Sequence, residues 1–208
     1  MAPDPPAVVS PKLYALILTS PRLRHQLLPQ GLVTSPYAVL DYDATLILHD
    51  GEGSMATVER MQHIRFQQDG VGAILDHFWG DGVGLAEYAH SGGALRESFK
   101  DQGRRHLVIG LQRPMAHGES LCFTVRRTAR VAFTRDEEWI ETTIDHPIAR
   151  LAQTVIFPHE RPCLGAELRY DDEAFPLHVQ VAPDGITQLR IHIPQPQSDA
   201  PYLIRWRW

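Results

Sequence analysis

The chain has 208 residues, enough to bury a full core, and its 43% hydrophobic and 22% charged residues exclude wholesale disorder. A formal net charge of −5 argues against nucleic acid as the main partner, because phosphate binding needs a concentrated basic surface. No apolar run reaches the length of a membrane span, and Leu13 to Leu18 is too short for a signal peptide, so a cytoplasmic location is expected.

Residues 1–9 are proline-rich and read as extended. Ser10-Pro11 and Ser20-Pro21 then predict two short helices, over Lys12–Leu18 and Arg22–Leu28, because serine caps exposed amides and proline suits the first helical position. Leu13, Leu16 and Ile17 form one apolar stripe, and Leu23, Leu27 and Leu28 form another. Helices this short are marginal alone, so these stripes are candidate partner-binding residues, on the remaining body or on another protein. Lys12, Arg22 and Arg24 against Asp4 give residues 1–34 a net charge of +2, which leaves −7 on residues 35–208. That opposition favours docking of the segment, whereas the plainer reading is two solvated surfaces.

From Tyr37 the apolar period becomes two, the mark of half-buried strands. Ala38, Leu40, Tyr42, Ala44, Leu46 and Leu48 alternate with Asp41, Asp43 and Thr45. Turn signals at Asp50-Gly51-Glu52-Gly53 and Asp69-Gly70 separate further strands, and Val71–Trp79 reads as the third. Leu85–His90 is a candidate fourth, and Ser91–Arg104 reads as a long loop for its glycines and polar residues. Strands are then expected around Leu107–Leu111, Leu121–Phe133, Trp139–Ile144, Leu151–Phe157, Ala166–Tyr170, Phe175–Val181, Ile186–Ile193 and Tyr202–Trp208. Arg127 falls on an apolar parity, which a bulge or a buried ion pair would resolve. About eleven short strands predict an all-β, immunoglobulin-like sandwich over 35–208 behind the segment 1–34, with a division near 135–150 into two packed β units left open.

Chemistry-bearing motifs are scarce. Eleven histidines raise the question of metal, yet there is no H-x-H, H-E-x-x-H or C-x-x-C, so no metal site and no cofactor are expected. There is no G-x-S-x-G, and Cys122, inside an apolar run, reads as a buried hydrophobe. Gly80-Asp81-Gly82 lacks the lysine of a phosphate loop and reads as a turn. Asp76, Trp79 and Asp81 are the candidate ligand-binding residues, since an aromatic beside carboxylates can hold a sugar or a cation. The C-terminus places Tyr202, Ile204, Trp206 and Trp208 on one face, expected to be core. Arg205 and Arg207 lie on the other, a basic stripe for an acidic partner if Arg190 lies beside them.

The Trp79-Gly80-Asp81-Gly82 turn, the Arg113-Pro114 to Gly118-Glu119 connector, Phe157-Pro158 and the Tyr202 to Trp208 terminus resemble a group of bacterial β-sandwich domains that accompany signalling and conflict-system proteins. The resemblance implies a sensing or scaffolding module and carries no catalytic residues. A non-enzymatic interaction or sensor module acting through protein–protein contacts, with an effector or by self-association, is therefore expected. A small-ligand or carbohydrate binder is the first alternative, and a hydrolase whose site assembles only in the fold is the second.

Overall fold

The computed structural model describes residues 35–78, 84–101, 104–144, 148–198 and 200–208. The two expected helices, with Leu13, Leu16, Ile17, Leu23, Leu27 and Leu28, lie outside the described residues, as do Trp79 and Asp81. The described chain is all-β, and no helix in it is long and apolar enough to cross a membrane.

In chain order the strands are β1 (Tyr37–Leu48), β2 (Met55–Phe66), β3 (Val71–Phe78), β4 (Gly84–His90), β5 (Ala94–Asp101), β6 (Arg104–Met115) and β7 (Ser120–Arg130). Then follow β8 (Glu137–Ile144), β9 (Arg150–Phe157), β10 (Gly165–Tyr170), β11 (Glu173–Leu177), β12 (Gln180–Val181), β13 (Thr187–Pro194) and β14 (Ala200–Arg207). The described residues thus hold 14 strands rather than about eleven. One reason is the segment read as a long loop, which contains β5. Residues 94–98 of that strand are exposed, so it pairs with β6 without the apolar alternation that betrays a half-buried strand. Another is the β10–β11 hairpin, turned by Asp171 and Asp172 with φ of 52° and 61°, after which Phe175–Val181 divides into β11 and β12.

The chain divides into two compact units, each built from separated stretches rather than by a single cut near 135–150. The smaller comprises described residues within 35–38, 65–78 and 92–121, and the larger those within 39–64, 84–91 and 122–208. The smaller unit carries a three-stranded antiparallel sheet, β3-β6-β5. The larger carries a seven-stranded sheet, β12-β13-β9-β1-β2-β7-β4, and a four-stranded sheet, β11-β10-β14-β8. The β1–β9 ladder is parallel, from Asp41 opposite Arg150 to Ile47 opposite Ile156. This mixed sheet departs from the antiparallel sheets of the immunoglobulin-like sandwich expected from the sequence. Arg127 is half-buried opposite Tyr88, and a register shift in β4 between Leu85 and Glu87 supplies a bulge nearby.

The larger unit's core lies between its two sheets. Leu46, Leu48, Ala56, Val155, Phe157, Leu189 and Ile191 come from the seven-stranded sheet and meet Ile204, Trp206 and Trp208. Alternation in β14 buries Tyr202, Ile204 and Trp206 to 2%, 0% and 1% exposure, so the aromatic terminus is core, as its pattern predicts. Cys163 is also buried there, whereas Cys122 is exposed, against its reading as a buried hydrophobe, because the apolar parity of β7 belongs to Phe123 and Val125.

Two turns hold strand ends by specific contacts. At 50–54, Asp50 Oδ1 accepts the amides of Glu52 and Ser54 at 3.0 and 2.9 Å. Gly53, at φ 67°, lies so close to Phe133 that an added Cβ would stand 1.5 Å from its carbonyl oxygen. In the 113–119 connector, Arg113 grips Glu119 with two hydrogen bonds of 2.9 and 2.7 Å, and Glu119 Oε2 also accepts the Ala116 amide at 2.7 Å. The Arg113 guanidinium first, then the Ala116 amide, hold the Glu119 carboxyl down at about 2 against an ordinary 4.5.

Gly53→Ala should destabilise the protein by at least about 2 kcal/mol, since left-handed strain and a backbone clash add. Gly70→Ala, at φ 75° with nothing near its Cβ, should cost only the strain of about 1 kcal/mol. Denaturant midpoints of the two variants check this, and equal losses would contradict the clash. Because the folded value of Glu119 lies below the ordinary one, its contribution is complete above about pH 4.5 and disappears as pH falls through about 2. A carboxyl NMR titration should place its midpoint near 2, and Arg113→Ala should move it toward 4.5.

Candidate functional site

Alternation along β1 sends Ala44, Leu46 and Leu48 into the core and leaves Asp41, Asp43 and Thr45 on the opposite face of the seven-stranded sheet. Glu59 and Met61 of β2 and Thr124 and Arg126 of β7 are exposed, while their neighbours Arg60 and Val125 are buried to 7% and 3%. Across β1, β2, β7 and β4 runs an open groove of about 540 Å³. Asp43, Thr45, Glu59, Thr124 and Arg126 line it, with Ala89, His90 and Ser91 on the β4 side.

Its charges are paired but not consumed. Arg126 Nε lies 3.4 Å from Glu59 Oε1, and both side chains are half-exposed. Arg150 gives its closer contact, 3.1 Å, to Asp41 and stands 3.8 Å from Asp43. Exposed pairs of this kind are worth about 0–1 kcal/mol, so a charged ligand can exchange for either partner at small cost. Ser91 closes one end, its hydroxyl accepting the Thr124 amide at 2.9 Å and its amide donating to Thr124 O at 3.0 Å. His90 Nδ1 is buried with no hydrogen-bond partner among the described residues, its ring lying 5.6 Å from Tyr88 and 6.5 Å from Phe123. The Arg60 guanidinium lies 5.8 Å over the Tyr42 ring. No Phe, Tyr or Trp among the described residues lines the groove.

Of the residues singled out in the sequence, the described ones fall elsewhere. Asp76 is 1% exposed within the smaller unit, opposite Leu107 on β6, and presents no carboxylate at the surface. Arg190 lies on β13 in the seven-stranded sheet, opposite Thr154, whereas Arg205 and Arg207 lie on β14 in the four-stranded sheet. The three arginines therefore form no common stripe. Arg205 is moreover bonded to Glu137 and lies 3.9 Å from Glu167, which itself holds Arg169 at 2.9 Å. Burial pushes the Cys163 thiol up, which keeps it protonated and inert. The groove went unpredicted because its residues are polar positions on separate strands, and only strand order makes them neighbours.

No protein-family model matches the chain, and no curated protein matches it. Solved structures do. A provisionally assigned protease from Parabacteroides distasonis superposes with a TM-score of 0.54 at 9% identity, over 85% of this chain and 41% of that one. A two-domain M1 zinc metallopeptidase bound to L-tryptophan gives 0.50 at 12%, over 82% and 43%. The M1 zinc metallopeptidase from Deinococcus radiodurans gives 0.48 at 12%, over 81% and 42%. The chain thus spans less than half the length of the structures it matches, and at these identities the likeness is one of fold.

The neighbours at TM-scores of 0.54 and 0.50 correct the expectation of a non-enzymatic module, because the β architecture is one that these protease and peptidase chains carry. The zinc named for the M1 structures does not fit the described residues, among which no three His, Cys, Asp or Glu side chains are grouped to hold a metal ion.

Proposed function

We propose that this chain is the peptide-binding β domain of a peptidase-type hydrolase, and that its groove on the seven-stranded sheet receives a short polar peptide. The groove carries this reading. Its volume of about 540 Å³ lies in the range of small-ligand sites, and its two carboxylates, exposed guanidinium and hydroxyls make it amphoteric. A peptide matches that character. Asp43 and Glu59 can accept from an amine or a basic side chain, Arg126 can donate to a carboxylate, and the hydroxyls of Thr45 and Thr124 suit amide groups. A sugar would find no Phe, Tyr or Trp ring to stack on, and a nucleotide would meet two carboxylates. The fold it shares with the Parabacteroides protease supports the hydrolase context. The protein–protein contacts expected from the sequence enter here as peptide recognition.

Calorimetric titration of the full chain with the tripeptide Lys-Ala-Glu and with maltotriose tests the reading. The tripeptide should bind, and Asp43→Asn combined with Glu59→Gln should weaken it tenfold or more, the loss of one charge-assisted contact, with the melting temperature unchanged. Binding of maltotriose alone, or tripeptide affinity indifferent to the double substitution, would contradict it.

A further inference from the structure

We propose that the outer edge of β8 accepts an extended, lysine- or arginine-bearing segment of another polypeptide as a fifth strand of the four-stranded sheet. Among the described residues the three sheets have six edge strands, β12, β4, β11, β8, β3 and β5. An edge strand presents unpaired backbone groups, and proteins blunt such edges with bulges, prolines, charges or brevity. Five of the six edges show brevity, a proline or a bulge. β12 has two residues, β11 has five and contains Pro176, and β3, β4 and β5 each carry a register shift. β8 has none. Its eight residues keep an unbroken register against β14, from Glu137 opposite Arg207 to Ile144 opposite Ala200, with no proline and no lysine.

The side chains along this edge indicate the occupant. Trp139 is 45% exposed, on the same strand face as Glu137 and Glu141. Residues 136–144 hold Asp136, Glu137, Glu138 and Glu141 and no basic residue. Glu138 is buried and accepts the Arg135 amide at 2.8 Å. Glu137 is paired with Arg205, Asp136 lies 2.9 Å from Arg161, and Glu141 is half-exposed. Exposed pairs of this kind are weak enough for a basic strand to exchange into. A strand with basic residues at alternate positions would face those carboxylates and set a cation against the Trp139 ring. The same charges disfavour self-pairing, since an antiparallel β8–β8 ladder would bring carboxylates opposite one another. The ladder bonds supply affinity and the alternate side chains supply selectivity, as in strand addition generally.

The test uses the full chain and a fluorescein-labelled octapeptide of alternating Lys and Val. It is compared with a Glu–Val version and with a Lys–Val version N-methylated at every second residue. Anisotropy should show binding of the Lys peptide, at least tenfold weaker binding of both other peptides, and at least tenfold weaker binding to Trp139→Lys. Hydrogen exchange should show added protection at 137–144. Asp43→Asn with Glu59→Gln should leave this binding unchanged, which separates the edge from the groove. Equal affinity for the N-methylated peptide would reduce the interaction to charge alone and overturn the proposal. So would unaltered exchange at 137–144, or light scattering that shows a dimer abolished by Trp139→Lys.

Discussion

The burial of Trp206 is the contact on which the larger unit depends. Its ring lies 5.6 Å from Phe133 and 5.7 Å from Phe157, so one side chain of β14 meets a residue of the seven-stranded sheet. Burying an indole removes roughly 150–250 Å² from water, on the order of 5 kcal/mol. The indole N–H finds no partner among the described residues, a cost of about 1–3 kcal/mol that the burial outweighs. Trp208 reinforces the same corner, its Nε1 donating to Arg135 O at 2.7 Å and the Arg161 guanidinium lying 4.1 Å from its ring centre. With the inner faces committed to this core, the groove falls on the outer face of one sheet and the open strand edge on the other.

Much of that arrangement was legible in the sequence where one face of a strand is buried. The alternation of Ala44, Leu46 and Leu48, and of Tyr202, Ile204 and Trp206, identifies both strands and their inward faces, because period two is the geometry of a half-buried strand. β5 was not legible, because exposure on both faces removes the signal. The parallel pairing of β1 with β9 was not legible either, since register between strands 109 residues apart, as Asp41 and Arg150 are, leaves no local trace. The candidate site suffered most. Asp76 and Trp79 drew attention as chemistry adjacent in sequence, whereas Asp43, Glu59 and Arg126 become a site only through strand order.

The Arg113 to Glu119 connector shows how a recognisable motif can be structural. Its arginine and glutamate grip each other, and the Gly118 amide donates to Phe66 O at 2.8 Å, so the motif fixes a turn. The functional proposal rests instead on polar side chains that the core does not use. Exposed ion pairs add little to stability, so selection for folding alone gives no strong reason to gather two carboxylates and an arginine around one groove.

The most direct test of the groove as the peptide site is a map of backbone amide shifts as unlabelled Lys-Ala-Glu is titrated into isotope-labelled protein. The account predicts saturable shifts concentrated at 43–45, 59–61, 89–91 and 124–126, the four strand segments that line the groove. Shifts spread evenly over the surface, or confined to segments outside those four, would contradict it.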